Sequence, residues 1–597
     1  MKTKDMIRVN SHLICAVCAF LATWATVRAC GISTFHLFGG LLFVIYLLLV
    51  RQFRQWSKTA AASALHKIVS AALAALFVFF YLCADYEALL GGLSSSLFRL
   101  GHLIIIGAGL FCIFYVMLFC FFQWLNDCSP FADATQKSDR FYNRLPLFAF
   151  FFCLLCWLPY LATNYPGVMT VDSLNQYGQI IGALPMSNHH PWVHTQLIRL
   201  FYEIGIVLTK NPLTGLGLYT LFQMAVMAGI FAYLIDLFVR LCIKKRLCLI
   251  VIAFYALLPY NAIYMITMWK DILFSGMTLL FSVVLLRFLI HSRQEAFPLT
   301  RRTYLLYLLS GLGLCLLRSN GFCAFLLTVP FLLLCFRRQW KRHLLLNLLI
   351  LLPVLLIKGP LMNACHVASP DFVESLSIPI QLAARVYVDQ EETDPADDEM
   401  WNRIVDTSRI PETYESFCSD HMKNLIRQGD QAYLEAHKAD YLKLWVSFGR
   451  KHPGAYVRGY IDATKGYWYP DVPNVIGSDE RIADNPYGLS AKPLLHNPVT
   501  IKIKEIVFKL PDMIPVYGLL FSLGAMFWLS LALAGKTVLS GRRNCLIVFL
   551  PNGAIFATLF LATPVYNEFR YGYPMLLTIP LFALCALYSG KGTEAGR

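Results

Sequence analysis

Apolar runs of roughly 15 to 25 residues recur along most of the chain, the length that spans the hydrocarbon core of a bilayer as a helix. Of the 597 residues, 57% are hydrophobic and only 15% charged, where a soluble globular chain carries about 25% charged residues. The expected fold is therefore an all-α integral membrane protein. About fourteen spans are read from the sequence: 11–29, 33–50, 67–84, 100–122, 145–163, 213–241, 247–268, 272–290, 303–317, 321–336, 343–357, 513–534, 544–562 and 571–589. The pair 303–317 and 321–336 is short for two crossings, and a re-entrant hairpin there leaves the downstream topology unchanged.

Basic clusters set the orientation. Lys2, Lys4 and Arg8 precede the first span, and Arg51, Arg54 and Lys58 follow the second. Further clusters are Lys137, Arg140 and Arg144, then Lys244-Lys245-Arg246, Arg287 to Arg302, Arg337 to Arg342, and Arg542-Arg543. They alternate with loops poor in Lys and Arg, which predicts two cytoplasmic termini in a multi-pass protein of the cell membrane. Segment 358–512 holds 17 Lys+Arg and 23 Asp+Glu, a net of −6. The totals of 51 and 36 leave 34 and 13 elsewhere, a net of +21. The formal +15 of the chain is thus topology-setting charge, and no nucleic-acid partner is expected.

The first apolar run lacks a small-x-small cleavage site and is followed at once by a second, so an uncleaved helix is expected. Most of the eighteen cysteines lie within spans, where they act as small hydrophobes. Cys365 and Cys418 lie in the outer segment, whose compartment permits a disulfide. Four blocks follow: a four-helix extension over 1–144, a membrane module over 145–357 with a long outer loop 164–212, an extracytoplasmic domain of mixed helix and loop over 358–512, and three closing helices over 513–597. Within the outer domain, 430–452 has an amphipathic helical pattern and 466–498 reads as loop.

Five patches keep charge beside these apolar helices, all on the expected outer side: Asp172 with His189-His190-Pro191, Trp269-Lys270-Asp271, Arg318-Ser319-Asn320, Lys358, and Glu568-Phe569-Arg570-Tyr571. Ionisable groups there are costly and mark function. Asp172 precedes a short helix, where it could be an N-cap, a general base or a metal ligand. His190 and His194 have the i, i+4 spacing of a zinc pair, but Pro191 limits His190 to a helix start. Hydrogen bonding to substrate or loop backbone fits them better, with His189 beside them. Lys270 and Arg318 sit where basic residues are avoided, which suggests anion contacts. A local Lys270–Asp271 ion pair in a tight turn, and a snorkelling Arg318, are the bland alternatives. Glu568 and Arg570 are two apart, so different partners are expected; Arg570 could clamp a phosphate, and Tyr571 could belong to an aromatic belt or contact substrate.

Two carboxylates, several cations and aromatics at one interface suit transfer of a sugar from a lipid phosphate. Such chemistry needs a cationic clamp on the leaving phosphate and a carboxylate to take the acceptor's proton. A divalent metal could assist, with Asp172 and Asp271 as candidate ligands. No Gly-rich phosphate loop of the P-loop pattern is present.

These patches resemble those of the GT-C class of integral membrane glycosyltransferases. That resemblance implies that Asp172, in the long first outer loop, and Asp271, in the next one, are catalytic. It also implies that Lys270, Arg318 and Arg570 bind the donor phosphate. His189, His190, His194, Glu568 and Tyr571 would contact substrate. The expected partners are a polyprenyl-phosphate-linked sugar donor, membrane lipids and an envelope acceptor. The sequence departs from the class in two ways: Asp172 is followed by Ser173 rather than a second acid, and four helices precede the module. A transporter or flippase, or a polymerase or ligase of lipid-linked glycans, is the alternative.

Overall fold

The computed structural model describes all residues except 1, 34, 58–63, 91–94, 133–135, 137–138, 294–297, 478–480, 515, 563–564, 567 and 589–597. Lys58 and Lys137, two of the cations expected to set topology, lie outside the described residues. Among the described residues the fold is helical, with isolated backbone bridges between loops and no strand.

Among the described residues, eight helices are long and apolar enough to cross a membrane: His12–Ala29, Leu37–Ser57, Ala64–Asp85, Ser96–Asp127, Leu145–Thr163, Pro212–Arg240, Lys270–Ser292 and Arg337–Ala364. A ninth crossing arises if Lys245–Leu257 and Pro259–Ile266 act together. Four further apolar helices, Ser319–Cys335, Leu523–Leu539, Leu550–Ala562 and Tyr573–Leu587, are shorter. By length and composition, eight of these helices, or nine with the bent pair counted as one span, reach membrane-crossing length. The run expected from 513 starts on the last residue of the helix Pro498–Met513, and its own apolar helix begins at Leu523, after a short 3-10 turn at Gly518–Phe521.

Two compact units divide the chain, the first break falling between Ser129 and Pro130. One comprises 1–129 with 528–543 and 585–589. Within it, Gly109 of Ser96–Asp127 lies against the Leu21 backbone, where a Cβ would come within 2.1 Å of the carbonyl oxygen. That close approach lets the first and fourth helices pack.

The other unit comprises 130–527 and 544–584 and carries all five patches. Its central helix is Lys270–Arg293, whose apolar length is almost entirely buried. A helix apolar on all sides belongs in a core, so the two charges at its start are held at a fixed depth. The preceding pair bends by 53° because Leu258, before Pro259, takes an extended conformation. Asn261 repairs the break by donating from Nδ2 to the carbonyls of Phe254 (2.9 Å) and Tyr255 (3.4 Å), while Tyr573 donates to its Oδ1 at 2.8 Å.

Within 358–512 the amphipathic pattern forms two helices, Gln431–Ala436 and Lys438–Lys451. Their buried Leu434, Tyr441, Leu444 and Phe448 share a core with Trp401, Ile404 and Ile426. Residues 469–477 and 481–497 are loop, as their Gly, Pro, Asn and Asp content predicts. Cys365 and Cys418 are both free thiols.

Candidate functional site

Backbone stitching places the first patch. The Pro166-Gly167 turn has Gly167 at φ 142°, and a Cβ there would meet Thr220 Oγ1 at 2.6 Å. Glycine is therefore required. Val168 N then donates to Ile266 O (2.8 Å), and Met268 N donates to Val168 O (2.9 Å). Ser173 Oγ donates to Met268 O at 2.8 Å, and Trp269 Nε1 to Thr170 Oγ1 at 2.7 Å. The helix Val171–Ile180 starts one residue before Asp172, with Thr170 at the N-cap. Asp172 is therefore a first-turn carboxylate rather than the cap, favoured there by the helix dipole.

The loop after Trp468 joins this patch to the last one. Met169 N donates to Arg481 O at 2.8 Å, and Ala483 N to Met169 O at 2.9 Å. Farther back in the same loop, Phe569 N donates to Val475 O at 3.0 Å and Asn474 Nδ2 to Tyr566 O at 2.7 Å. One loop thus holds both ends of a site whose residues are far apart in sequence.

Asp172 Oδ2 accepts from Lys270 Nζ at 3.1 Å and from Arg570 Nη1 at 3.0 Å. Arg570 Nε also donates to Glu568 Oε2. Arg318 pairs with Asp271. The Arg570 guanidinium lies 4.7 Å from the Trp269 ring centre, and Arg318 lies 4.7 Å from that of Tyr571. Three carboxylates and three cations therefore neutralise one another in a half-buried cluster.

Two local expectations change. Lys270 pairs with Asp172 instead of its neighbour Asp271, because the latter is turned into the core, with its side chain 1% exposed, toward Arg318. Glu568 and Arg570 share a contact although they are two apart. The i, i+2 rule applies to an α-helix, whereas Glu568 is extended and Phe569–Tyr571 forms a 3-10 turn.

The histidines separate. His190 Nδ1 lies 3.4 Å from Lys270 Nζ. A lysine ammonium only donates, so Nδ1 accepts and the ring proton sits on Nε2, which is buried without a partner. Burial, reinforced by Lys270, lowers its pKa to about 3. His194 is fully buried, with Nδ1 3.1 Å from Gln176 Oε1 and Nε2 2.7 Å from Tyr219 Oη. Tyr219 is hydrogen-bonded on to Gln223, whose Nε2 donates to the carbonyls of Met265 and Thr267. Both His194 nitrogens are thus occupied inside the protein. Its place is to position the loop, and the expected direct substrate contact is not open to it. His189 faces segment 358–512 instead, 3.9 Å from Glu374. Lys358 also stands apart, its ammonium 4.7 Å from the Phe322 ring centre.

Burial raises the Asp172 carboxyl, but Lys270 and Arg570 override it and hold it well below its ordinary range. Glu568 is pushed up by burial, against the opposing pull of Arg570. Asp271 Oδ2 and both side-chain polar atoms of Asn320 are buried without partners. So is Tyr264 Oη, whose ring lies against Trp269 at 5.7 Å. Tyr264, Gln176 and Gln223 were not legible beforehand, since each sits within an apolar or neutral stretch.

The donors do not suit a divalent metal. Asp172 and Asp271 are each matched by a cation, and among the described residues no group of three His, Cys, Asp or Glu converges.

Residues 182–596 match the model of a family of unknown function, DUF6020. The chain belongs to that family. The match takes in His190, Lys270, Asp271, Arg318, Glu568 and Arg570, and begins just after Asp172. No curated protein and no solved structure is matched.

Proposed function

We propose that the protein is a membrane glycosyltransferase that moves a sugar from a polyprenyl-phosphate donor to an envelope glycan, lipid or protein at the outer face. In this reading fourteen helical segments cross or enter the bilayer, both termini are cytoplasmic, and 358–512 is extracytoplasmic. The supporting observation is the convergence of three separate sequence patches on one ion-pair network around Asp172, with the Arg318 patch tied to it through Asp271, the neighbour of Lys270. Asp172 keeps 27% of its side chain exposed, so an acceptor hydroxyl can reach it.

The resting pairing suggests an order of events. With Lys270 and Arg570 on it, Asp172 is a weak base. A donor phosphate competes for those cations, leaving burial unopposed and the carboxylate more basic. The acceptor oxygen then attacks the sugar's anomeric carbon, and Asp172 takes the hydroxyl proton. The bond from that carbon to the phosphate oxygen breaks, and its electron pair leaves with the lipid phosphate, stabilised by Arg570 and Lys270. The unpartnered His190 Nε2–H is a further donor for a phosphate or sugar oxygen. Asp271 holds Arg318 in place rather than touching Asp172.

The test compares envelope glycans and lipid-linked sugars by mass spectrometry in a deletion strain carrying wild type or Asp172→Asn at matched levels. Loss of one sugar decoration with build-up of its lipid-phosphate donor, rescued by wild type alone, supports transfer. Unchanged glycans in the deletion strain would remove the transferase reading. A second reading, a transporter or flippase of a lipid-linked precursor, draws on the helix bent beside the site, since discontinuous helices mark transporter sites. Rescue by both proteins would favour it.

A further inference from the structure

The helix Pro498–Met513 has three distinct faces. One packs inward: Val507 is buried, and the Phe508 ring meets that of Tyr260 edge-on at 5.9 Å. Val499, Ile503, Ile506 and Met513 recur at helical spacing along a second face, and each is more than half exposed. Lys502, Glu505, Lys509 and Asp512, also exposed, line the third. Ile514, Val516 and Leu519 continue the uncovered apolar run beyond the helix. A surface bathed in water rarely carries so long an apolar stripe, and such a stripe marks a contact.

Three backbone contacts fix the level at which this stripe lies. Leu494 N and Leu495 N donate to Ala162 O at 2.7 and 3.0 Å, one residue from the end of the membrane-length helix Leu145–Thr163. An Asn497–Thr500 capping box then starts the helix. Tyr260 Oη donates to Phe508 O at 3.0 Å, just past the break between Lys245–Leu257 and Pro259–Ile266. Tyr160, Thr163, Ile266, Ile503 and Val507 line one cavity of about 200 Å³, so the helix lies across the ends of these spans. Leu155 and Leu158 of Leu145–Thr163 are themselves uncovered, as a span facing lipid requires. An apolar stripe at the end of such a span meets the boundary between lipid headgroups and acyl chains. Lys502, Lys504 and Lys509 against Glu505 and Asp512 give the helix a net charge of +1, so apolar burial rather than charge attraction is what this boundary supplies.

We propose that Pro498–Met513 is an interfacial helix, with its Val499, Ile503, Ile506 and Met513 stripe inserted about 5–10 Å into the lipid surface and its charged face in water. The partner is the bilayer itself, and insertion is driven by the apolar stripe. The helix thereby leaves the aqueous domain expected for 358–512. The inference is independent of the transferase reading.

The test uses the full chain in phosphatidylcholine vesicles, with a fluorescent non-natural residue placed singly at Val499, Ile503, Ile506 or Glu505. The lipids carry quenching bromines either near the glycerol backbone or near the chain ends. Shallow bromines are expected to quench Ile503 and Ile506 at least twofold more than Glu505, and more than deep bromines do. High salt should leave this unchanged, since the stripe and not charge drives insertion. Ile503→Asp with Ile506→Asp, both at exposed positions, should remove the quenching read at Val499. If that variant does not fold, the comparison of Ile503 with Glu505 decides alone. Equal quenching at Ile503 and Glu505 would overturn the proposal. So would an unquenched Ile503, whether water, a second copy or another protein covers it. Stronger quenching by deep than by shallow bromines, or loss of quenching in high salt, would also overturn it.

Discussion

Asp172 and Arg570 stand 398 residues apart and meet at 3.0 Å, where Arg570 also holds Glu568. One guanidinium therefore joins the start of the membrane module to the loop before its last helix. The planar fork is needed for two carboxylates at once.

Arg570→Lys should therefore keep the charge but lose one of the two contacts. Transfer is expected to fall at least tenfold with modest loss of stability. Arg570→Gln should unfold more easily by about 3–5 kcal/mol, the cost of stranding buried partners. Thermal unfolding in nanodiscs, beside donor turnover, separates the two effects.

Asp271 and Arg318 form the most deeply buried pair of the cluster. Either Asp271→Asn or Arg318→Gln should destabilise by about 3–5 kcal/mol, because the partner is left alone. Asp271→Leu with Arg318→Met should be milder than the two single losses combined. A double-mutant cycle on unfolding midpoints checks this, and strict additivity would contradict the pairing.

His190 and His194, both at about 3, remain neutral in the folded protein far below the pH at which an unfolded histidine gains its proton. Below about pH 6.5 the unfolded chain binds protons that the folded one does not. Stability should fall as pH drops from there toward 3, by about 1.4 kcal/mol per pH unit for each histidine. His194→Gln should lower the midpoint at neutral pH and flatten this slope. The readout is thermal unfolding across pH 4 to 7, within the range where the two curves should converge.

Glu568 moves the opposite way. Its raised folded-state pKa makes its contribution largest at low pH, lost as pH rises through that value. Relative to wild type, Glu568→Gln should gain stability as pH increases from about 4 to 8. A constant difference between the two proteins across that range would place Glu568 at its ordinary value.

Gly167→Ala should strain the turn that feeds Asp172, since φ is 142° and Thr220 Oγ1 leaves no room for a Cβ. A loss of about 1–3 kcal/mol is expected, with transfer reduced more than the stability loss alone explains. Restored transfer in Gly167→Ala with Thr220→Ala would point to backbone strain as the minor term, since the second change removes the Oγ1 that the added Cβ would meet at 2.6 Å.

What the sequence determined by itself is the solvent and the chemistry. Long apolar runs require helices in lipid, and charges beside them stand out because each must be answered. The amphipathic stretch 430–452 and the loop 466–498 were legible for the same reason: their patterns are local. Only the tertiary structure decided the pairings. Lys270 could have met Asp271 next to it, and instead meets Asp172 because the buried first turn of Lys270–Arg293 sends its two charges to different partners. His194, expected to hydrogen-bond a substrate or the loop backbone, has its ring nitrogens taken by Gln176 and Tyr219. Lys358 kept the right chemistry but not the right place. An isolated charge tells how costly its burial is, whereas its partner is set by which backbones are stitched together, and here that was done by the loop that ties Met169 to Arg481 and Phe569 to Val475.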